Sequence, residues 1–175
     1  MHVWLTDNCV PVLIQQNIYG SDFFNRSWAE FKVGFNDELG NYWLGNDLLS
    51  QLTRSRHYKL RFDLQLRNLS WYYAEYSTFI VQGESRNYEL RVSGHSGNVG
   101  DALSYHNGAM FTTYDRDNDP WASSVYNDNC AVSRGGGFWY RSCAHCEVNT
   151  VRDHKNIFRW WSSQTGSLLL QSTRM

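Results

Sequence analysis

The sequence predicts one α+β domain, with antiparallel strands and short helices in its first part and a long loop-rich segment in its second. The chain has 175 residues, which is enough for one domain and too few for two ordinary ones. Helical and strand periodicities are visible only as far as Gly94. The remainder is rich in Gly, Asn, Asp, Ser and Trp, and a loop region of that length needs a metal, a disulfide or buried aromatic rings to hold it.

Two short helices are predicted in the first part of the chain. Ser27 and Glu30 form the pattern of a capping box, in which each side chain satisfies a backbone N–H group of the first helical turn. A second helix is predicted over residues 46–52, with Asn46 as its N-cap. Three aromatic residues at helical spacing belong to one face of the first helix, and they are Trp28, Phe31 and Phe35.

Strands are predicted where apolar and polar residues alternate. The clearest one runs from Tyr58 to Leu66, where every second residue is apolar. A strand pair is predicted from residues 79–81 and 88–92, joined around residues 83–85. Alternation of this kind is typical of antiparallel sheets that bury one face. The combination of such strands with short helices gives the α+β class.

Composition and charge exclude several classes of function. Lys and Arg number 16 and Asp and Glu 17, so the formal charge is −1 and the chain lacks the basic excess of a nucleic-acid or anionic-membrane binder. No apolar run approaches the ~18 residues of a membrane-inserted helix. Residues 1–20 contain no charged and apolar leader of the secretory type. No nucleophile–base or metal–water constellation is visible, so an enzyme is not predicted.

An acidic loop is the first candidate site. Carboxylates occupy alternate positions from Asp115 to Asp119, an arrangement that lets several oxygens converge on a hard cation such as calcium. The EF-hand pattern fails, because Pro120 and Tyr126 stand where that loop requires Gly and Glu. The alternative interpretation is a solvated acidic turn ahead of Pro120, and the loop residues by themselves leave both open.

The cysteines of the second part allow two interpretations. Cys130 and Cys143 flank three consecutive glycines at residues 135–137, and a disulfide across such a loop contributes about 3 kcal/mol in the chain-entropy treatment. Alternatively, Cys143 and Cys146 form a Cys-x-x-Cys pair of the redox or zinc type, although a structural zinc ion needs four ligands. The spacing alone does not decide between them.

Several short segments occur in a fixed order along the chain. They are FKVGF (31–35), YWLGN (42–46), LT (52–53) with YKLR (58–61), YAEY (73–76), GNVGDALSYHNG (97–108), FTTYDRDND (111–119), NCA (129–131) and GFWYRSC (137–143). Together these segments resemble the fibrinogen C-terminal (fibrinogen-related) domain. The resemblance implies a twisted antiparallel sheet with short helices and a long loop-rich calcium and disulfide region. It extends over residues 1–175, and we expect the domain pattern to be incomplete at both ends.

The resemblance also implies a location and a set of site residues. It implies a secreted, extracellular domain that binds calcium. The calcium ligands would be the carboxylates of Asp117 and Asp119 and the main-chain carbonyls of Trp121 and Ser123, with Asp115 as a supporting acid. The disulfide of the family would join Cys130 to Cys143. Ligands in the family include glycans, acetylated groups, peptide ends and cell-surface receptors.

The ligand pocket of the lectin-like members is altered in this chain. Arg134 stands where those members have a tyrosine, and Ala144 stands in place of a histidine, with His145 one position later. We therefore expect acetyl recognition by the usual residues to fail. Arg134, His145 and Phe138 are the candidate ligand-binding residues. A different pocket could be built by Arg134 and His145 with the Trp160-Trp161 pair, although Trp160 is expected in the core.

Secretion would give meaning to two further features. The sequons at Asn25 and Asn68 become candidate glycosylation sites, and Asn68 is the better one because it lies in a predicted loop. Cys9 replaces a usual glycine and Cys146 has no counterpart in the family pattern. Cys146 is predicted to pair with Cys9, to pair with a residue beyond Met175, or to remain free.

The sequence therefore predicts a non-catalytic, calcium-ordered extracellular recognition domain. Its partner would be a glycan or a cell-surface or matrix protein, as in innate recognition or adhesion, with no nucleic acid and no membrane insertion. Oligomers would form through upstream segments. The alternative is a structural or adhesion module of a larger matrix protein that binds no small ligand.

Overall fold

The computed structural model describes residues 4–5, 11–18, 22–122, 128–150 and 158–175. Its strands are β1 (Trp4–Leu5), β2 (Gln15–Ile18), β3 (Phe35–Asn36), β4 (Tyr42–Trp43), β5 (Tyr58–Leu66), β6 (Trp71–Val81), β7 (Leu90–Gly97), β8 (Cys146–Glu147), β9 (Arg159–Ser162) and β10 (Gly166–Arg174). The α-helices are α1 (Trp28–Val33), α2 (Asn46–Ser55) and α3 (Cys130–Arg134). Single 3₁₀ turns lie at Asp22–Phe24, Glu84–Arg86 and Leu103–His106.

The strands form an antiparallel sheet in the order β3-β4-β2-β10-β5-β6-β7. The predicted α+β class is therefore confirmed. Two short pairs extend the sheet: β1 lies against β5, and β8 lies against β9, which in turn pairs with β10. Within the described part of the chain, every helix is too short or too polar to cross a bilayer.

The strand at the centre of the sheet, β10, comes from the end of the chain. Its first half pairs with β9, and the register shifts between Leu170 and Ser172. Its second half then lies between β2 and β5 and pairs with both. The sequence analysis found no strand here, because three consecutive leucines hide the alternation. It also missed β2, whose inward-facing residues, Gln15 and Asn17, are polar.

The helices begin close to the predicted positions, but one cap differs. The capping box of Ser27 and Glu30 is present at α1. The predicted cap of α2 is wrong: Asn46 is the first helical residue, and Gly45 occupies the cap without a side-chain hydrogen bond. The Asn46 Oδ1 atom instead accepts a hydrogen bond of 3.1 Å from Trp43 Nε1, because both side chains are buried and need each other as partners.

The end of α1 and the start of β7 differ from the predicted positions. Helix α1 ends at Val33, so Phe35 lies in β3 rather than on the helix, although it still packs against the core. Strand β5 has the predicted bounds, and its apolar side chains all face inward. The next strand pair is longer than predicted, and β7 starts only at Leu90 because Asn87 and Tyr88 have φ angles of 50° and 51°.

Aromatic rings fill the core between the sheet and the loops. Phe111 lies at the centre, with its ring centroid 5.0 Å from Phe31, 5.8 Å from Trp43 and 5.2 Å from Trp139. All four side chains have an exposed fraction of 1% or less. Edge-to-face and tilted contacts at these distances add to the free energy that burial of the rings supplies. The predicted core position of Trp160 is confirmed as well, since its side chain is fully buried.

A buried polar network ties the two central strands to the loop before residue 150. The Gln15 Nε2 group donates to Val148 O at 3.1 Å, to Asn149 Oδ1 at 2.9 Å and to Thr173 Oγ1 at 3.1 Å. Asn17 Nδ2 donates to Val148 O at 2.9 Å. Because these groups are cut off from water, each depends on the others for hydrogen bonding.

We predict that Gln15→Leu lowers the free energy of unfolding by about 2–4 kcal/mol, since it leaves buried oxygens without a donor. Gln16→Leu is the matched control. Its side chain is on the opposite face of the same strand and loses only the bond to Gly40 O, so we expect a loss of about 1 kcal/mol or less. Urea unfolding measures both values, and equal losses would contradict the role of the network.

Candidate functional site

The acidic loop is attached to the rest of the domain at both of its ends. Asp115 Oδ1 accepts hydrogen bonds from the backbone N–H of Trp28 at 2.8 Å and from Thr113 Oγ1 at 2.7 Å. It therefore satisfies a free N–H group at the start of α1. Its role as a supporting acid for calcium stays a prediction. Asn118 Nδ2 donates to Phe111 O at 2.7 Å and turns the loop back over the aromatic core.

The next two acids of the loop lie next to each other. The backbone N–H of Asp119 donates to Asp117 Oδ1 at 3.2 Å. The two oxygens of Asp119 accept from the N–H groups of Trp121 and Cys130, both at 3.0 Å. Burial raises the pKa of the Asp119 carboxyl to about 6 despite these two hydrogen bonds, and the negative charge of Asp117 adds to the rise.

This arrangement suits a divalent cation. Of the residues that the structure describes, no Lys or Arg forms an ion pair with Asp117 or Asp119. An uncompensated pair of carboxylates that already bind backbone N–H groups fits the oxygen-ligand chemistry of calcium. Among the described residues, no three His, Cys, Asp or Glu side chains are placed so that they could hold one metal ion together. Backbone carbonyls or water would therefore have to complete the coordination shell. Ser123, a predicted carbonyl ligand, lies outside the described residues.

The disulfide between Cys130 and Cys143 is present, with the two Cα atoms 5.3 Å apart. The alternative redox or zinc pair of Cys143 with Cys146 is therefore wrong. Cys146 is a buried thiol without a disulfide partner among the described residues, and its pKa is raised by burial. Cys9, one of its predicted partners, lies outside those residues.

Asn129 joins the disulfide to the acidic loop. Its Oδ1 atom caps α3 by accepting from the N–H groups of Ala131 and Val132. Its Nδ2 group donates to Thr113 O at 2.9 Å. One side chain thus fixes the start of the cysteine-bearing helix and the start of the acidic loop together.

The three glycines between the cysteines allow close packing. Gly135 ends α3 with a φ angle of 70°. A Cβ atom on Gly136 would lie 1.8 Å from Asn149 O, and one on Gly137 would lie 2.5 Å from the ring of Phe31. The backbone of this segment can pass between the core and the loop only because it lacks side chains.

His106 supports the segment that follows the disulfide. The ring is fully buried; Nδ1 lies 2.7 Å from Trp139 O, and Nε2 accepts from the N–H groups of His145 and Cys146 at 3.1 and 3.3 Å. Nδ1 therefore carries the proton. Burial lowers the pKa of His106 to about 3, so the ring is a neutral structural group.

The structure separates the three predicted ligand-binding residues. Phe138 is wrong as a contact residue, because it has an exposed fraction of 1% and packs against His106 and Trp139. Arg134 lies 3.2 Å from Glu147 and compensates the charge of that buried carboxylate. His145 is partly exposed as well, and its ring, unlike the guanidinium of Arg134, is not engaged by a buried carboxylate.

His145 belongs to a surface cluster that we call the aromatic triad, formed by Tyr105, His145 and Trp161. The ring of His145 stacks on the ring of Tyr105, with the two centroids 3.8 Å apart. The ring centroid of Trp161 lies 4.4 Å from that of His145. All three side chains are half-buried. The sequence pointed to Trp161 only as one of a tryptophan pair beside Arg134 and His145, and it did not point to Tyr105. The register of β8 with β9 and the turn at His106 bring the three rings together.

The two sequons differ in their local structure. Asn68 is exposed in the turn between β5 and β6, and its Oδ1 atom accepts from the N–H of Ser70 at 3.1 Å. Asn25 is also exposed, but the hydroxyl of its sequon residue, Ser27, donates to Glu30 within the capping box. Glycosylation at either position stays a prediction, with Asn68 favoured.

An antiparallel sheet, a disulfide-closed loop region and a paired acidic loop define a domain of the fibrinogen-like class. The family model of the fibrinogen beta and gamma chains, C-terminal globular domain, matches residues 5–171. The chain belongs to this family. The mouse angiopoietin-related protein 1 is 39% identical over 81% of the chain, and mouse tenascin is 43% identical over 81%. The chain spans 29% and 7% of the length of these two proteins.

Solved structures agree with the assignment. The fibrinogen-like globe domain of human ANGPTL2 has a TM-score of 0.82 and 34% identity, and covers 98% of this chain and 82% of its own. Lamprey fibrin D-dimer, in complex with the peptide Gly-His-Arg-Pro-amide, has a TM-score of 0.78 and 27% identity over 93% of this chain and 59% of its own. The relatives are secreted or extracellular matrix proteins and not enzymes, and this domain is extracellular.

We predict that His106 remains neutral in the folded domain from about pH 8 to about pH 4. An unfolded histidine protonates near pH 6.5, so this group stabilises the fold above that pH and loses its contribution as the pH falls toward 3. Nitrogen NMR of the ring should show one neutral tautomer, and His106→Asn should flatten the pH dependence of unfolding. A ring that titrates near pH 6.5 would contradict the buried arrangement.

Proposed function

We propose that this chain is a non-catalytic recognition domain that calcium orders and that binds an extracellular protein segment at the aromatic triad. The observation that carries the proposal is the triad itself. Tyr105, His145 and Trp161 offer rigid, half-exposed rings, and His145 follows the disulfide by two residues. Rings of this kind give a binding surface a large contact area at low conformational cost.

The loop region is prepared for binding before any ligand arrives. The backbone N–H groups of His145 and Cys146 are fixed by the buried ring of His106, and Cys143 is fixed by its disulfide. A surface that is already ordered loses little entropy on association. A peptide-bound relative supports the same class of ligand, since the lamprey fibrin D-dimer holds Gly-His-Arg-Pro-amide.

Calcium would be held by Asp117 and Asp119, together with main-chain carbonyls of the predicted positions Trp121 and Ser123. When bound, the ion supplies positive charge that offsets the mutual repulsion of the two carboxylates. The chain's own residues already bring the acids together, since Asp119 binds the N–H of Cys130 and Asn129 joins that helix to the loop. The ion would thus stabilise the segment that leads into the disulfide.

A protein ligand is favoured over an acetylated glycan at this surface. Ala144 provides no imidazole, and Arg134 is engaged by the buried Glu147. The usual acetyl pocket therefore lacks its polar groups. A glycan bound by the triad remains the alternative ligand, and a purely structural module of a matrix protein is the second candidate function.

We predict that calcium at about a hundredfold excess over its Kd raises the melting temperature by about 5–10 °C over a chelated sample. Asp117→Ala and Asp119→Asn should abolish this rise. Glu38→Gln is the matched control, because it removes an exposed acid outside the loop and should keep the full response. Identical melting curves with calcium and with chelator would refute the calcium site.

We predict that Gly-His-Arg-Pro-amide, or another peptide from a library of free amino-terminal peptides, shifts the NMR signals of Trp161 and His145. Trp161→Ala should weaken binding at least tenfold, which corresponds to about 1.4 kcal/mol. Trp71→Ala, a change to a half-exposed tryptophan on the sheet, should leave binding intact. Binding that survives Trp161→Ala would exclude the triad. A library without binders together with a positive glycan array would favour the glycan alternative.

A further inference from the structure

A pocket with both polar and apolar lining lies on the outward face of the sheet, on strands that carry neither the acidic loop nor the disulfide. Its volume is about 190 Å³. The residues that shape it come from four neighbouring strands, β2, β10, β5 and β6. They are Gln16, Ile18, Gln65, Trp71, Ser172 and Arg174.

Strand register creates the hollow. Ile18 pairs with Ser172, Ser172 pairs with Gln65, and Gln65 pairs with Trp71, so the four residues form one row across the sheet. Outward side chains in such a row stand beside each other. Ser172 is the small member in the middle, and its larger neighbours therefore surround an open space above it.

Trp71 forms an aromatic wall of this pocket. Its side chain keeps an exposed fraction of 50%, at the start of β6 where no core packing requires an indole ring. The guanidinium of Arg174 lies 5.5 Å from the ring centroid and helps to hold it in place. A half-exposed flat ring at the edge of a small pocket offers an apolar face to a ligand that is itself flat and partly polar.

The polar atoms in the pocket supply both donors and acceptors. Gln65 Oε1 accepts from Ser172 Oγ at 3.1 Å, which leaves the Gln65 Nε2 donor without a partner among the described residues. Gln16 Nε2 donates to Gly40 O at 2.8 Å. The Oε1 atom of Gln16 therefore remains an acceptor without a donor among the described residues. An array of mixed donors and acceptors beside an aromatic face matches a ring that carries several hydroxyl groups.

The charge of the pocket favours a neutral ligand. Arg174 Nε lies 3.5 Å from Asp63 Oδ2, so the one positive group in the lining is compensated. Asp63 also pairs with Arg61, and Arg61 pairs with Glu75, which continues the balance of charge along the face. A phosphate or carboxylate ligand would find little net positive potential here.

We propose that this pocket binds one neutral pyranose ring of a glycan, with the ring stacked on Trp71 and its hydroxyls bonded to Gln65, Gln16 and Arg174. This site is separate from the calcium loop and the aromatic triad. The same sugar ring could come from two sources. One is a glycan of another molecule, and the other is a glycan attached to Asn68, since Asn68 lies in the turn directly before Trp71.

The test uses the whole domain with Asn68→Gln and with chelator present, so that neither its own glycan nor calcium contributes. Methyl glycosides of mannose, galactose and N-acetylglucosamine are titrated separately and followed by NMR. At least one should give saturable shifts of the Trp71 indole N–H and the Gln65 side-chain amide, with a Kd in the millimolar range, on the order of 1–10 mM. Trp71→Ala should abolish these shifts, and Trp161→Ala should leave them unchanged.

A second variant protects the test from loss of folding. Ser172→Phe fills the hollow from an outward-facing position and should block the sugar while the domain keeps its unfolding transition. Absence of shifts with all three glycosides, or shifts that persist in both pocket variants, would overturn the proposal. This result is independent of the triad and calcium tests. The titration is done with chelator, and it includes the Trp161→Ala variant, so neither calcium nor the triad can produce the expected shifts.

Wild-type protein from secretory cells separates the two sources. If the Asn68 glycan occupies the pocket, added glycosides should produce no shifts until a peptide N-glycosidase removes that glycan together with its first sugar. If the sugar belongs to another molecule, the glycosylated protein should bind glycosides as the Asn68→Gln variant does. A glycosylated protein that stays silent after enzymatic removal of the glycan would contradict both forms of the proposal.

Discussion

The contact of Phe111 with the rings of Trp43 and Trp139 is the interaction on which the second part of the chain depends. Trp43 belongs to the sheet, Phe111 begins the segment that leads into the acidic loop, and Trp139 lies between the two cysteines. Long loops make few ladder hydrogen bonds, so their order must come from burial and side-chain bonds. Here the rings supply the burial, and they fix the loop and the disulfide segment against one surface of the sheet.

Buried polar groups then determine how each loop is placed on that aromatic core. Asp115 binds the start of α1, Asn129 joins the acidic loop to α3, and His106 holds the backbone after the disulfide. Each side chain satisfies groups that would otherwise be buried without a partner, and such groups are costly. This requirement selects one loop arrangement from the many that a hydrophobic core alone would accept. It also places the aromatic triad, since His145 is oriented by the bond from its own N–H to His106.

The two proposed binding surfaces use different parts of this construction. The aromatic triad rests on the disulfide and on His106, so its geometry depends on the loop region and on any ion that Asp117 and Asp119 hold. The pocket beside Trp71 rests on the register of four strands and depends on neither. If both proposals hold, the domain would bind a protein segment and a sugar independently of one another. Multiple weak contacts of this kind gain strength when they engage one partner together.

By itself the sequence determined the class, the family, the first helix, the strand β5, the disulfide partners and the acidic loop, because each depends on local periodicity or on short ordered segments. Only the tertiary structure decided the rest. The central position of β10 could not be predicted, since consecutive leucines and the inward Gln15 carry no alternation. The pairing of Arg134 with Glu147 spans 13 residues and depends on the path of the chain after the disulfide. The burial of Phe138 against His106 and the stacking of Tyr105 on His145 join segments 32 and 40 residues apart. Contacts over that separation are set by the shape of the whole core, and no short stretch of sequence contains them.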